Sequence, residues 1–134
     1  MEKRLLQIAV AVAGLVPVGA GAAGALLGPL LLGQVGDAAL DSHVRYLSGL
    51  LLAIGLAFWS TIPHIERHGT RFGLLTLIVV TGGLCRALGM LIVGPPGVAM
   101  SLALVMELVV TPALYLWRER VGRLAAVDAA SGWR

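Results

Sequence analysis

Two charged residues lie inside long apolar runs of this sequence, and charged residues in such positions indicate a functional site. Arg86 and Glu107 lie deep in the third and fourth apolar runs, where hydrocarbon would surround them if the runs crossed a bilayer. A charge at the centre of a membrane helix costs about 2.5–3.5 kcal/mol on insertion scales, so such residues face protein or a water-filled cavity. We therefore expect Arg86 and Glu107 to pair with each other.

A second charged pair is predicted near the start of the second apolar run. Asp41 and Arg45 are four residues apart, so they lie one helical turn apart and can form a local ion pair. If both pairs face the interior of one bundle, they form a polar funnel with His43 at its rim. Its two guanidiniums could hold a carboxylate, a phosphate or a lipid head group, while Glu107 balances charge or transfers a proton.

Three functions are compatible with these residues. The favoured prediction is binding of a small anionic ligand or lipid head group in an outward-facing pocket, lined by Arg86, Glu107, Arg45, Asp41 and His43. The first alternative is an accessory or scaffold membrane subunit with a structural Arg86–Glu107 pair. The second is a membrane enzyme that uses Glu107 as an acid or base. One carboxylate with two arginines is closer to an anion cradle than to a complete catalytic set, so we favour binding and leave catalysis open.

The other motifs of the sequence are weaker candidates for a functional site. His64 and His68 flank Glu66 in the order His-x-Glu-x-His, which differs from the orders that zinc proteases use, so we predict a solvated loop without a metal. Cys85 has no histidine in its own apolar run or in the following one, and we predict a structural role for it. The sequence has no phosphate loop, dinucleotide motif or Ser/His/Asp set, so no cofactor is predicted.

The composition is typical of a membrane protein. Of the 134 residues, 58% are hydrophobic and 13% are charged, and the mean hydropathy is +0.92. Soluble domains carry about 25% charged residues. The formal net charge is +3, but no basic stripe interleaved with aromatic residues argues for nucleic acid. The predicted partner is the lipid bilayer, and a homo-oligomer or a membrane protein partner stays open.

Four apolar runs are long enough to cross about 30 Å of hydrocarbon as helices, which takes about 20 residues. The sequence therefore predicts an all-α fold, an integral membrane four-helix bundle over residues 1–124. The predicted helices cover about residues 5–27, 44–62, 72–93 and 98–117. Breaks are provided by Gly28–Pro29, by Pro63 and by the Gly94–Gly97 turn. Residues 125–134 are predicted to form a flexible cytoplasmic tail.

The distribution of Lys and Arg predicts the orientation. Arg45 alone falls on one side of the predicted membrane, and the cations of the other side are Lys3, Arg4, Arg67, Arg71, Arg118, Arg120, Arg123 and Arg134. By the positive-inside rule, both termini are cytoplasmic. A cleaved signal peptide is the alternative for the first run, because small residues follow its apolar stretch. Its removal would leave three spans with an inconsistent charge bias, so we predict that the run is a helix of the bundle.

Small residues at helical spacing predict close helix packing. On the first helix they are Ala20, Gly24 and Gly28. On the third helix the face of Arg86 carries Gly82, Gly83 and Gly89. We expect the glycine face of the third helix to pack against protein, which would direct Arg86 into the bundle. For the first helix, packing within the chain is favoured over dimerisation.

Several of these residues also carry a family resemblance. They are Asp41, Arg45, Ser48 and Gly49, Gly82 and Gly83 with Arg86, the turn at Gly94 and Pro95, and Glu107 with Pro112. On these residues, from about Leu5 to Trp117, the chain resembles the small bacterial four-span membrane proteins grouped as domain of unknown function 4345, which are similar in turn to DoxX-like proteins. The resemblance implies a multi-pass protein of the bacterial cytoplasmic (inner) membrane, and it implies no activity.

Overall fold

The chain is all-helical in the computed structural model, which describes residues 1–131 without the side chains of Leu32 and Ala129. No strand occurs within that range. Four helical segments are long and apolar enough to cross a membrane, namely Glu2–Leu31, Ala38–His64, Gly69–Val93 and Val98–Asp128. The predicted all-α fold and the predicted number of span-length helices are therefore confirmed.

Five α-helices make up these segments. They are α1 (Glu2–Leu27), α2 (Ala38–Trp59), α3 (Gly69–Val93), α4 (Val98–Val105) and α5 (Thr111–Ser131). Short 3₁₀ turns at Gly28–Leu32 and Ile62–His64 follow α1 and α2. A π-helical turn at Met106–Val110 joins α4 to α5, so the fourth span is one continuous helical run.

Two helix ends differ most from the prediction. The second helix begins at Ala38, before residue 44, because the Asp37 carboxylate caps it by accepting a hydrogen bond of 2.8 Å from the Leu40 N–H. The last helix continues past Trp117 to Ser131, because the residues beyond Trp117 include good helix formers and no proline. Most of the predicted tail at residues 125–134 is therefore helical, and residues 132–134 lie outside the described part of the chain.

The helices form two compact units. One, the α1–α2 unit, comprises Gln7–Pro63. The other, the α3–α5 unit, comprises Met1–Leu6 and the residues from His64 onward.

Within the α1–α2 unit, small residues bring the two helices close together. A Cβ atom at Gly21 would lie 2.8 Å from the Ser48 carbonyl oxygen, and one at Gly24 would lie 2.9 Å from the Ser48 Cβ atom. Both distances are shorter than van der Waals contact, so neither position has room for a larger residue. The predicted packing of the first helix within the chain is confirmed at Gly24.

Within the α3–α5 unit, a buried arginine organises one end. Arg118 is 6% exposed, and its guanidinium donates to the carbonyl oxygens of Ile65 at 2.9 Å and Glu66 at 2.6 Å. It also donates to the Glu119 carboxylate at 2.6 Å. The side chains buried in this unit include Leu6, Ile65, Phe72 and Val121. Arg118 therefore ties the segment between the second and third spans to α5.

This segment is less solvated than the sequence predicts. Ile65 is buried, and Glu66 forms an ion pair with Lys3 at 3.0 Å. Burial raises the pKa of the Glu66 carboxyl, but a backbone hydrogen bond and the attraction of Lys3 and His64 outweigh it and hold the pKa below its ordinary value. Apolar burial at one residue and charge pairing at the next therefore hold the connection in place.

Replacing Arg118 with methionine should destabilise the α3–α5 unit. The carbonyl oxygens of Ile65 and Glu66 would lose their guanidinium donors, and an unsatisfied buried polar group costs about 1–3 kcal/mol. We expect Arg118→Met to lower the free energy of unfolding by about 2 kcal/mol or more, measured by denaturant titration in detergent. The matched control is Arg123→Met, because Arg123 is exposed. Equal effects of the two substitutions would contradict the role assigned to Arg118.

Candidate functional site

Arg86 and Glu107 form a bidentate ion pair, which confirms the predicted pairing. The Arg86 Nε atom donates to Glu107 Oε2 at 3.0 Å, and Nη2 donates to Oε1 at 2.9 Å. The Arg86 side chain is 32% exposed and the Glu107 side chain is 18% exposed. Two parallel charge-assisted hydrogen bonds fix the plane of the guanidinium as well as its charge. The pair thus has a defined geometry, but the protein does not enclose it completely.

Gly83 brings α3 against the π-helical turn that carries Glu107. A Cβ atom at Gly83 would lie 2.8 Å from the Leu108 Cδ2 atom and 2.9 Å from the Glu107 Cβ atom. Any side chain at this position would separate the two segments, and the ion pair lies one turn further along α3. Glycine is therefore required here for packing.

The remaining glycines on the Arg86 face contradict the prediction that this face packs against protein. Gly82 and Gly89 are exposed, and a Cβ atom at either would have no described atom within 4 Å outside its own helix. Arg86 therefore lies between an occupied glycine position and two open ones. The physical reason is helix geometry, because 3.6 residues per turn place Gly83 on one side of Arg86 around the helix axis and Gly82 and Gly89 on the other side.

Glu107 lies in the π-helical turn, a feature that the sequence analysis missed. The backbone N–H and the hydroxyl of Thr111 both donate to the Met106 carbonyl oxygen, the hydroxyl at 2.8 Å. Pro112 follows at once and has no N–H to donate. Proline inside an apolar run was the available signal for a disturbed helix. Such turns are frequent at functional sites.

Met100 is a second residue that the sequence analysis missed. Its sulfur atom accepts a hydrogen bond of 3.1 Å from Arg86 Nη1. A thioether is a weak acceptor, so this guanidinium nitrogen has a much poorer partner than the other two. Met100 precedes Glu107 by seven residues, about two helical turns, and this spacing was the signal that places it on the same face of the fourth span.

The predicted Asp41–Arg45 pair forms within the α1–α2 unit. Arg45 Nε donates to Asp41 Oδ2 at 2.8 Å, and Nη1 donates to the carbonyl oxygens of Ala25 at 2.8 Å and Leu26 at 2.9 Å. These carbonyls belong to the last turn of α1, where helical donors run out. Arg45 therefore caps α1, a structural role that the sequence did not predict.

The predicted funnel combines residues of both units. Asp41, Arg45 and the exposed His43 belong to the α1–α2 unit, whereas Arg86 and Glu107 belong to the α3–α5 unit. A ligand site shared by all five therefore stays a prediction.

Two other candidates have simple descriptions. Among the described residues, no three His, Cys, Asp or Glu side chains lie close enough together to hold a metal ion. Cys85 is exposed on α3, so it does not fill a core position.

Breaking the Arg86–Glu107 pair on one side should cost more than removing both charges. A single substitution leaves a partly buried charge without its partner, and breaking a buried pair costs about 3–5 kcal/mol, whereas replacement of both partners is often neutral. We expect Arg86→Met and Glu107→Leu each to lower stability clearly, and the double variant to regain most of the loss. Additive effects in denaturant titrations of the four proteins would show that the two residues are not coupled.

The family model described as domain of unknown function (DUF4345) matches residues 5–118. No curated protein and no solved structure matches the chain. The matched range includes both charged pairs, the π-helical turn and Arg118.

Proposed function

We propose that this chain, which belongs to the DUF4345 family, is a multi-pass protein of the bacterial cytoplasmic membrane that binds a small anionic group through Arg86. The anionic group is a carboxylate or a phosphate, carried by a small molecule or by a lipid head group. We include in the proposal that both termini are cytoplasmic, following the positive-inside rule, and that the family is related to DoxX-like proteins.

The observation that carries the proposal is the partly unused guanidinium of Arg86. A guanidinium has five N–H donors in a planar fork. Glu107 uses the edge formed by Nε and Nη2, and the sulfur of Met100 is the acceptor for Nη1. Nη1 and Nη2 each carry a second N–H, so the edge that they form can still donate to two oxygen atoms of one anion. Replacing a thioether by an anionic oxygen strengthens the hydrogen bond, because charge-assisted bonds are about twice as strong as neutral ones.

Access to Arg86 supports the same proposal. Its side chain is about one-third exposed at 32%, and the positions one turn before it and one turn after it are the open glycines Gly82 and Gly89. Side chains there would border the guanidinium, and glycines leave its surroundings free. A small anion needs this kind of space to reach the free edge.

Glu107 has two roles in this proposal. Its carboxylate offsets the cost of placing a guanidinium in an apolar span when no ligand is bound. Its two hydrogen bonds also fix the orientation of the guanidinium, so the free edge is preorganised for an anion.

One alternative also has a specific observation in its favour. In the bidentate Arg86–Glu107 pair each charge already has a partner of opposite sign, so a scaffold or accessory subunit would need no ligand at this position. An enzyme is less well supported, because both oxygen atoms of Glu107 accept bonds from Arg86 and an acid or base would have to release them. Anion binding separates the proposal from the scaffold alternative.

Removal of the Arg86 guanidinium should weaken anion binding. We expect inorganic phosphate and hexanoate, tested by calorimetry on detergent-solubilised protein, to bind at least about tenfold more weakly to Arg86→Gln, a loss of about 1.4 kcal/mol. Phosphatidylglycerol in lipid nanodiscs, tested by native mass spectrometry, separates a lipid head group from a free anion as the source of the ligand. Arg71→Gln is the matched control, because Arg71 is an exposed arginine at the start of α3.

A comparison of the variants with the parent protein tests whether Arg86 is the binding residue. Equal binding of all three probes to the parent protein and to Arg86→Gln would refute the proposal and leave the scaffold alternative. Arg45→Gln provides a further comparison, because a matching loss there would support the wider funnel predicted from the sequence.

A further inference from the structure

The open side of Arg86 carries uncharged residues. Helix spacing places five neighbours of Arg86 on this side of α3, namely Ile78, Gly82, Cys85, Gly89 and Ile92. All five are exposed, whereas the opposite side of Arg86 packs against the π-helical turn through Gly83. An anion therefore approaches the guanidinium over a surface of hydrocarbon, thiol and glycine.

The end of the α3–α5 unit that is closest to Arg86 carries no charge either. Arg86 lies seven residues before Val93, the last residue of α3, which is about 10 Å along the helix axis. Apart from Arg86 itself, the sequence has no charged residue between Arg71 and Glu107. No positive group at this end attracts a dissolved anion towards Arg86. A hydrated anion would also have to lose its water shell to travel along this surface.

The charge balance of the site favours a ligand with a single negative charge. The charges of Arg86 and Glu107 sum to zero, so a bound monoanion leaves one uncompensated negative charge and a dianion leaves two. Each uncompensated charge is costly in apolar surroundings, so a carboxylate fits this site better than a phosphate monoester. The two coplanar oxygen atoms of a carboxylate also match the edge formed by Nη1 and Nη2.

We propose that the anion bound by Arg86 is the carboxylate of a long-chain fatty acid, which reaches the guanidinium from the hydrocarbon of the membrane. This inference rests on the proposed function and specifies its ligand. The chain brings the molecule into the hydrocarbon, since each methylene favours transfer from water by about fourfold. The head group is small and carries no further polar group, so it can leave the interface for Arg86. In detergent the guanidinium binds either oxyanion, and in a bilayer the apolar surroundings select the one that arrives.

Contact between the head group and Arg86 can be measured by solid-state NMR in phosphatidylcholine bilayers. The protein carries ¹⁵N-labelled arginine, and the two probes are palmitate with a ¹³C carboxyl carbon and inorganic phosphate, detected through ³¹P, at equal total concentration. Dipolar dephasing of the guanidinium signals reports contact, and the difference between the parent protein and Arg86→Gln isolates the contribution of Arg86. We expect this difference to be several-fold larger for palmitate than for phosphate. Arg71→Gln is the matched control and should keep the Arg86 contribution.

The possible results separate this inference from anion binding itself. Contact of Arg86 with phosphate but not with palmitate would overturn the inference and leave anion binding at Arg86 intact. The absence of Arg86-dependent contact with both probes would refute both proposals. Hexadecyl phosphate has a chain of the same length and a phosphate monoester head, so it tests the head group. Arg86-dependent contact with hexadecyl phosphate that equals or exceeds the contact with palmitate would overturn the assignment to a carboxylate.

Substitutions at the open glycines test the direction of approach without breaking the ion pair. A double variant, Gly82→Leu with Gly89→Leu, covers the open side of Arg86, and a Cβ atom at either position meets no atom within 4 Å outside the adjacent helix backbone. We expect the palmitate contact to fall several-fold in this variant. Gly19→Leu is the matched control and should leave the contact unchanged, because Gly19 is an open glycine on α1. Undiminished contact in the double variant would overturn the approach from the hydrocarbon.

Discussion

The free energy cost of a charge inside an apolar span is the constraint on which the rest of this structure depends. Arg86 and Glu107 lie in helical segments that are long and apolar enough to cross a membrane. Their bidentate ion pair offsets the free energy cost of placing each charge there. The pair requires two close backbones, because its hydrogen bonds are about 3 Å long. Gly83 provides that approach, and the π-helical turn carries the carboxylate that meets it.

Three arginines of this chain lie within the long apolar segments, and each is stabilised by different partners. Arg86 is paired with a carboxylate, Arg45 caps the last turn of α1, and Arg118 donates to two carbonyls of the segment before α3. The last two bind backbone groups that have no helical donor, so their charges are used for architecture. Arg86 differs from both, because a thioether is the acceptor for one of its nitrogens. This difference is the reason why binding is proposed at Arg86.

Much of the architecture could be predicted from the sequence because the formation of long apolar helices depends on local properties. Length and hydropathy along the chain locate four helices without any knowledge of packing. The two ion pairs were also predictable, since Asp41 and Arg45 are one turn apart and the charges inside the long apolar helices have few other partners. The helix ends were less predictable, because the Asp37 cap and the long α5 depend on single residues outside the apolar runs. The π-helical turn at Glu107 was signalled only by the nearby Pro112.

The sequence by itself determined the helical class, the number of span-length helices and the partnership of Arg86 with Glu107, because hydropathy and uncompensated charge act whatever the packing. Only the tertiary structure decided which glycines are contacts: Gly83 is enclosed while Gly82 and Gly89 are open. It also decided that Met100 accepts from Arg86, that Arg45 caps α1 and that Arg118 is buried. These facts depend on which atoms of distant segments come within about 3–4 Å of each other, and residue types along one chain do not specify such distances.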